Sequence, residues 1–146
     1  MMDDIMIDRR LSPSENLWWV LDQECRCNFV IRSGITGPTR EEVLRQGLKA
    51  VQVRHPMLRV RVERDGWNSL SFQTHGAQGI PLRIEEAPPN AWIKQAEKEL
   101  HEELPVKDGP LVRCTLVRHT DEDHTVLIAF HHAILDAISG SFPMAP

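Results

Sequence analysis

The chain has 146 residues, 41% of them hydrophobic and 26% charged, with a formal net charge of -4. This length suits one domain with a sizeable core, and the scattered cations of an acidic chain exclude the clustered basic surface that nucleic acid requires. No apolar run approaches the roughly 20 residues of a membrane helix, and acids in MMDDIMIDRR stand where a signal peptide carries bases and an apolar core, so a cytoplasmic location is expected.

Residues 5–11 read as a short strand. A helix is predicted over 11–23. Ser12 can cap its orphan amides, Pro13 suits the first helical position, and Glu15 can reach back to the amide of the cap. Leu17, Trp18, Val20 and Leu21 then form its apolar face. Residues 25–31 read as a strand. Cys25 and Cys27 would share one face of it, but zinc pairs are spaced more widely, so two small strand residues are the simpler reading. With Cys114 they make three cysteines, an odd number without framework spacing, which points to reduced thiols.

Thr39-Arg40-Glu41-Glu42 reads as a second capping box. The helix it opens carries Val43, Leu44, Gly47, Leu48 and Val51 at spacings of three and four. Gly47 within it predicts close packing against a neighbour. Pro56 ends this helix near Arg54-His55. Residues 58–63 alternate, with Leu58, Val60 and Val62 on one side and Arg59, Arg61 and Glu63 on the other. Asp65-Gly66 predicts a hairpin turn returning through 67–73. Residues 80–85 alternate again, and Pro88-Pro89 ends that strand. Asn90 is positioned to cap a third helix over 91–104, with Ile93, Ala96, Leu100 and Leu104 as its stripe.

The last unit is a hairpin, 111–119 and 124–131, around a polar turn at 120–123. Both faces of 126–130 are apolar, which predicts a central strand covered on both sides. The element order gives an α+β fold, a mixed β-sheet packed against helices in two layers.

The hairpin ends in HHAILDA, residues 131–137. Consecutive strand residues point to opposite faces. If the strand persists, His131 and His132 therefore do different jobs: one imidazole supports the turn and the other faces a cavity. Histidine titrates near neutrality and can take a proton from a hydroxyl, amine or thiol. Asp136 falls where a strand-to-helix turn places an N-cap, from which it can hold backbone amides or a cation, or orient a histidine. No Gly-x-Ser-x-Gly elbow is present. Taken alone, two histidines ending a buried strand fit satisfied core residues as well, and a metal held by His131, His132 and Asp136 lacks a further ligand pair at helical spacing.

HHAILDA resembles the HHxxxDG motif of the condensation-domain and chloramphenicol-acetyltransferase-like acyltransferases. LSPSENLWWVLDQ, RHPMLRVRV and KDGPLVRCTLVR are similar to further segments of that family, in family order, and Ser139 matches a small residue common three positions after the aspartate. The resemblance spans nearly all of residues 9–139 and covers the N-terminal lobe. It implies a chloramphenicol-acetyltransferase-like half-fold forming one domain over 1–146. It also implies acyl transfer from a coenzyme A or carrier-protein phosphopantetheine thioester to a hydroxyl or amine, with no tightly bound cofactor and no metal.

In that frame His132 is the catalytic base, and His131, Asp136 and Arg59 are supporting residues. Asp136 would fix the motif turn by pairing with an arginine, and Arg59 matches the family's Leu-Arg position. Ala137 stands where the family has glycine. The family's second lobe, which carries the other wall of the acyl-donor tunnel, has no counterpart before Pro146. The expectation is therefore an acyltransferase whose second lobe comes from a partner or from a homodimer, against the alternative of a non-catalytic or truncated half-domain that binds a carrier protein or small molecule.

Overall fold

The computed structural model describes residues 5–26 and 28–134. Two sheets and three helices are built from β1 (Asp8–Arg10), α1 (Pro13–Glu24), β2 (Asn28–Thr36), α2 (Glu41–Arg54), β3 (Arg61–Arg64), β4 (Leu70–Gln73), β5 (Leu82–Glu86), α3 (Trp92–His101), β6 (Val112–Arg118) and β7 (Asp123–His131), with short 3-10 turns at Pro56–Arg59 and Pro89–Ala91. The smaller sheet is antiparallel in the order β1-β4-β3. The larger runs β2-β7-β6-β5, with only β5 and β6 parallel. The α+β class holds.

The register explains the layering. Opposite residues of paired strands share a face. Asn28, His131, Ala129, Arg113, Thr115 and Leu127 therefore point one way, and Phe29, Phe130, Val112, Ile128, Cys114, Leu116 and Val126 point the other. The first face is covered by α3. The second carries most of the core: Val112 joins Val62 and Phe72 of the smaller sheet and Leu58 and Val60 of the segment leading into β3, while Leu82, Cys114, Leu116 and Val126 meet Leu44 and Leu48 of α2. The strand β7 is thus central and covered on both sides, as its apolar run predicts. Full burial of side chains such as Leu116 and Leu127 stabilises the fold by roughly 2 kcal/mol each.

The face under α3 is held by charge. Arg113 and Glu99 are both almost wholly buried, with Arg113 Nε donating to Glu99 Oε2 at 2.6 Å. Thr115 donates to the other carboxylate oxygen at 2.9 Å. The Asn28 amide ties β2 to the end of α3 through the carbonyls of Glu99 and Glu102.

Several elements differ from their sequence reading. Both capping-box bonds at Ser12 and Glu15 form, but α1 is turned: Glu15 and Asp22 are buried while Leu17, Val20 and Leu21 are exposed. The strand read at 25–31 is Asn28–Thr36; Cys25 instead closes α1, and Cys27 lies outside the described residues. Arg40 caps α2 without a side-chain bond, because the Thr39 hydroxyl turns to the Gly37 carbonyl. A Cβ on Gly47 would meet nothing within 4 Å, so no neighbour packs there. A 3-10 turn opens α3 in place of an Asn90 cap, the helix stops at His101, and Ile93 and Leu100 are exposed, leaving Glu99 as its buried residue. Gly109 is where close approach is needed: its φ is +60°, and a Cβ would lie 2.6 Å from the Val60 carbonyl oxygen.

Glu99→Ala leaves a buried guanidinium without its counter-charge. It should cost about 3–5 kcal/mol in urea unfolding, with much of the loss recovered when Arg113 is also replaced by methionine.

Candidate functional site

The candidate site is the junction between β7 and the helical backbone of residues 132–134, faced by α1. The strand ends at His131, and the two histidines separate there. His131 is almost completely buried, whereas His132 is half-buried.

A helix start leaves backbone amides without partners. His131 supplies one: its Nδ1 accepts the Ala133 N–H at 3.0 Å. That acceptor role fixes the tautomer, so the proton of the neutral ring sits on Nε2. Nε2 faces Asp22 Oδ2 of α1 at 3.5 Å, an electrostatic contact longer than a good hydrogen bond. Asp22 also receives Arg26 at 3.0 Å. Burial pushes the His131 pKa below the ordinary histidine value, against the opposing pull of Asp22. The Trp19 ring lies 6.0 Å from it, centroid to centroid. His131 is therefore a neutral imidazole that joins α1 to the end of β7.

His132 is held differently. Its ring stacks on Trp18 with centroids 4.4 Å apart and planes 17° from parallel. Phe29 of β2 meets it edge-on at 5.8 Å and 70°. Among the described residues neither ring nitrogen makes a hydrogen bond, which leaves both able to exchange a proton with an incoming group.

The other expected site residues divide. Arg59 lies at the end of the Pro56–Arg59 3-10 turn, not on a strand, because Pro56 opens that turn and β3 begins only at Arg61. It donates to the Ile5 carbonyl at 2.9 Å. Asp136, Ala137 and Ser139 lie outside the described residues. Asp22 belongs to this candidate site, and the sequence alone does not single it out. The signal was its spacing: Glu15, Trp18, Trp19 and Asp22 recur every three or four residues on the face of α1 that turns inward.

No cluster of three or more His, Cys, Asp or Glu positioned for a metal occurs among the described residues. Burial pushes the Cys114 thiol up to about 11, so it carries no thiolate at neutral pH. No described helix is long and apolar enough to cross a membrane.

The family's sequence model, described as Condensation domain, matches residues 20–142. The chain belongs to the condensation-domain family. Phosphinothricin tripeptide synthetase from Streptomyces viridochromogenes is 27% identical over 142 residues, covering 88% of this chain and 13% of that protein. Equisetin synthetase from Fusarium heterosporum is 29% identical over 117 residues, covering 78% and 3%. In fold, a mutant starter condensation domain of rhizomide synthetase, solved in complex with C8-CoA, superposes with a TM-score of 0.73 at 14% identity, covering 87% of this chain and 31% of that one. The chain thus spans about a third of that condensation domain and a small fraction of each synthetase.

A depressed His131 pKa means that the unfolded chain binds the extra proton more readily. Its stabilising contribution is present above the ordinary value of 6.5 and is lost as pH falls through that value toward the lower folded one. Thermal melts of the parent between pH 7.5 and 5 should show this loss, and His131→Gln should flatten that part of the profile.

Proposed function

We propose that this chain provides one wall of a condensation-type acyl transfer site. An acyl group moves from a coenzyme A or carrier-protein thioester to a hydroxyl or amine acceptor, with His132 as the general base. The observation that carries this reading is the asymmetry of the two histidines: one is buried, with Nδ1 bonded to the Ala133 amide and Nε2 facing Asp22, and the other is half-buried with neither nitrogen hydrogen-bonded among the described residues. Family membership supports the class of chemistry. In this reading His132 takes the acceptor's proton as the acceptor attacks the thioester carbonyl, and passes it to the departing thiolate. Asp136 and Arg59 hold the motif turn, and His131 sets the position of residue 132 from below.

The described surface suits a site completed by a second body. A water-excluded cavity strengthens every polar interaction with a developing charge, and a half-buried histidine on one wall has none. Leu17, Val20 and Leu21 on α1 and Phe29 and Ile31 on β2 are exposed, an apolar surface of the kind that marks an interface. We propose a second lobe facing this one, supplied most simply by another copy of the chain in a two-fold pair.

The test is a concentration series of the protein with an acyl-pantetheine thioester and an amine, alongside gel filtration with light scattering. Product formation should rise faster than protein concentration until the pair saturates. His132→Ala should slow it by about 100-fold or more; equal rates in the two proteins would remove His132 from the chemistry. A monomer at high concentration that binds thioester saturably without turnover favours the second reading, a binding half-domain.

A further inference from the structure

Histidines that act as general bases are commonly held in orientation by a hydrogen bond that the ring N–H not in use donates to a third group. His132 has no such bond among the described residues. Its orientation comes from two aromatic rings, the indole of Trp18 under one face and the edge-on ring of Phe29. From this we infer that Trp18 is a positioning residue: its stack replaces the orienting hydrogen bond and holds the His132 imidazole in the plane from which it meets an acceptor. The inference rests on the reading of His132 as the reacting base.

The geometry around Trp18 is built for the task. The indole is carried by α1, whose start is fixed by the capping box of Ser12 and Glu15 and whose last turn faces His131 through Asp22. One rigid helix thus sets both imidazoles, His131 through a carboxylate and His132 through a ring face. A centroid separation of 4.4 Å with near-parallel planes is close stacking, and such pairs are worth more than the area they bury. Rotation of His132 about its side-chain torsions has to break that contact on one side and the Phe29 contact on the other. The stack also leaves both nitrogens free of hydrogen bonds among the described residues. The ring is held in place without its basic lone pair being used.

The experiment compares the 146-residue parent with Trp18→Phe, Trp18→Leu and His132→Ala in the acyl-transfer assay, and follows the imidazole C–H resonances of His132 by NMR. In the parent these resonances should be displaced upfield by the indole ring current. Trp18→Phe should keep a displacement, and Trp18→Leu should lose it without moving the His131 resonances. Trp18→Leu should lower kcat about tenfold with KM within about twofold of the parent, and Trp18→Phe should recover most of the loss, because a small loss of alignment in the reacting geometry acts on the rate and not on ground-state binding. If Trp18→Leu does not fold, Phe29→Leu applies the same kcat-against-KM test from the ring's other contact. Unchanged kcat in the leucine variant beside an inactive His132→Ala overturns the role of Trp18 and leaves the functional reading standing. A parent without turnover, or a His132→Ala variant as fast as the parent, overturns the functional reading and this inference with it.

Discussion

A buried imidazole joins the parts of this fold that would otherwise meet only through apolar contact. His131 ends the central strand β7, satisfies the Ala133 amide with one nitrogen and faces Asp22 of α1 with the other. Its main-chain amide also donates to the Leu111 carbonyl at the entry to β6. An apolar side chain in this position would leave the Ala133 amide and the Asp22 carboxylate without this partner, and unsatisfied buried polar groups cost about 1–3 kcal/mol or more. The strand end, the start of the helical backbone and the seat of α1 are thus tied to one ring, and the placement of His132 follows from them.

The larger sheet shows the same preference for polar ties on one side and apolar packing on the other. Under α3, the Glu99–Arg113 pair and the Asn28 amide tie the helix to β6 and β2. Toward the smaller sheet and α2, aliphatic residues dominate. A buried ion pair adds less net stability than its geometry suggests, because both charges leave water. Its directional bonds do fix where α3 lies. Non-directional packing alone would tolerate a shift of the helix along the sheet, and with it of the β2 edge that brings Phe29 against His132.

Much of the fold is legible in the sequence because its signals are local. The capping box at Ser12, the stop at Pro56, the turn at Asp65-Gly66 and the doubly apolar run of β7 each depend on a few neighbouring residues. What is not legible depends on partners distant in sequence. The helix α1 buries Glu15 and Asp22 because Arg9 and His131 are waiting for them, so a count of apolar residues selects the wrong face. The α3 stripe fails for the same reason, since the buried position belongs to Glu99 opposite Arg113. The histidine motif is recognisable by its residues, but strand parity alone does not yield its geometry: the strand stops at His131 and the chain turns. The Asp22 and Trp18 contacts become visible only once α1 is docked.

The outer edge of β2 has a consequence for how the molecule behaves in bulk. Nine residues long and free of proline, β2 pairs with β7 on one side, and among the described residues no strand lies on its other side. Its main-chain groups, unpaired by any strand among the described residues, lie beside the exposed Phe29 and Ile31, and such an edge is a template for an extended chain. Colloidal behaviour is therefore coupled to folding: any chain that pairs with this edge also suppresses edge-to-edge growth. A preparation in which the edge is open will be governed by how fast molecules meet as well as by how stable each one is.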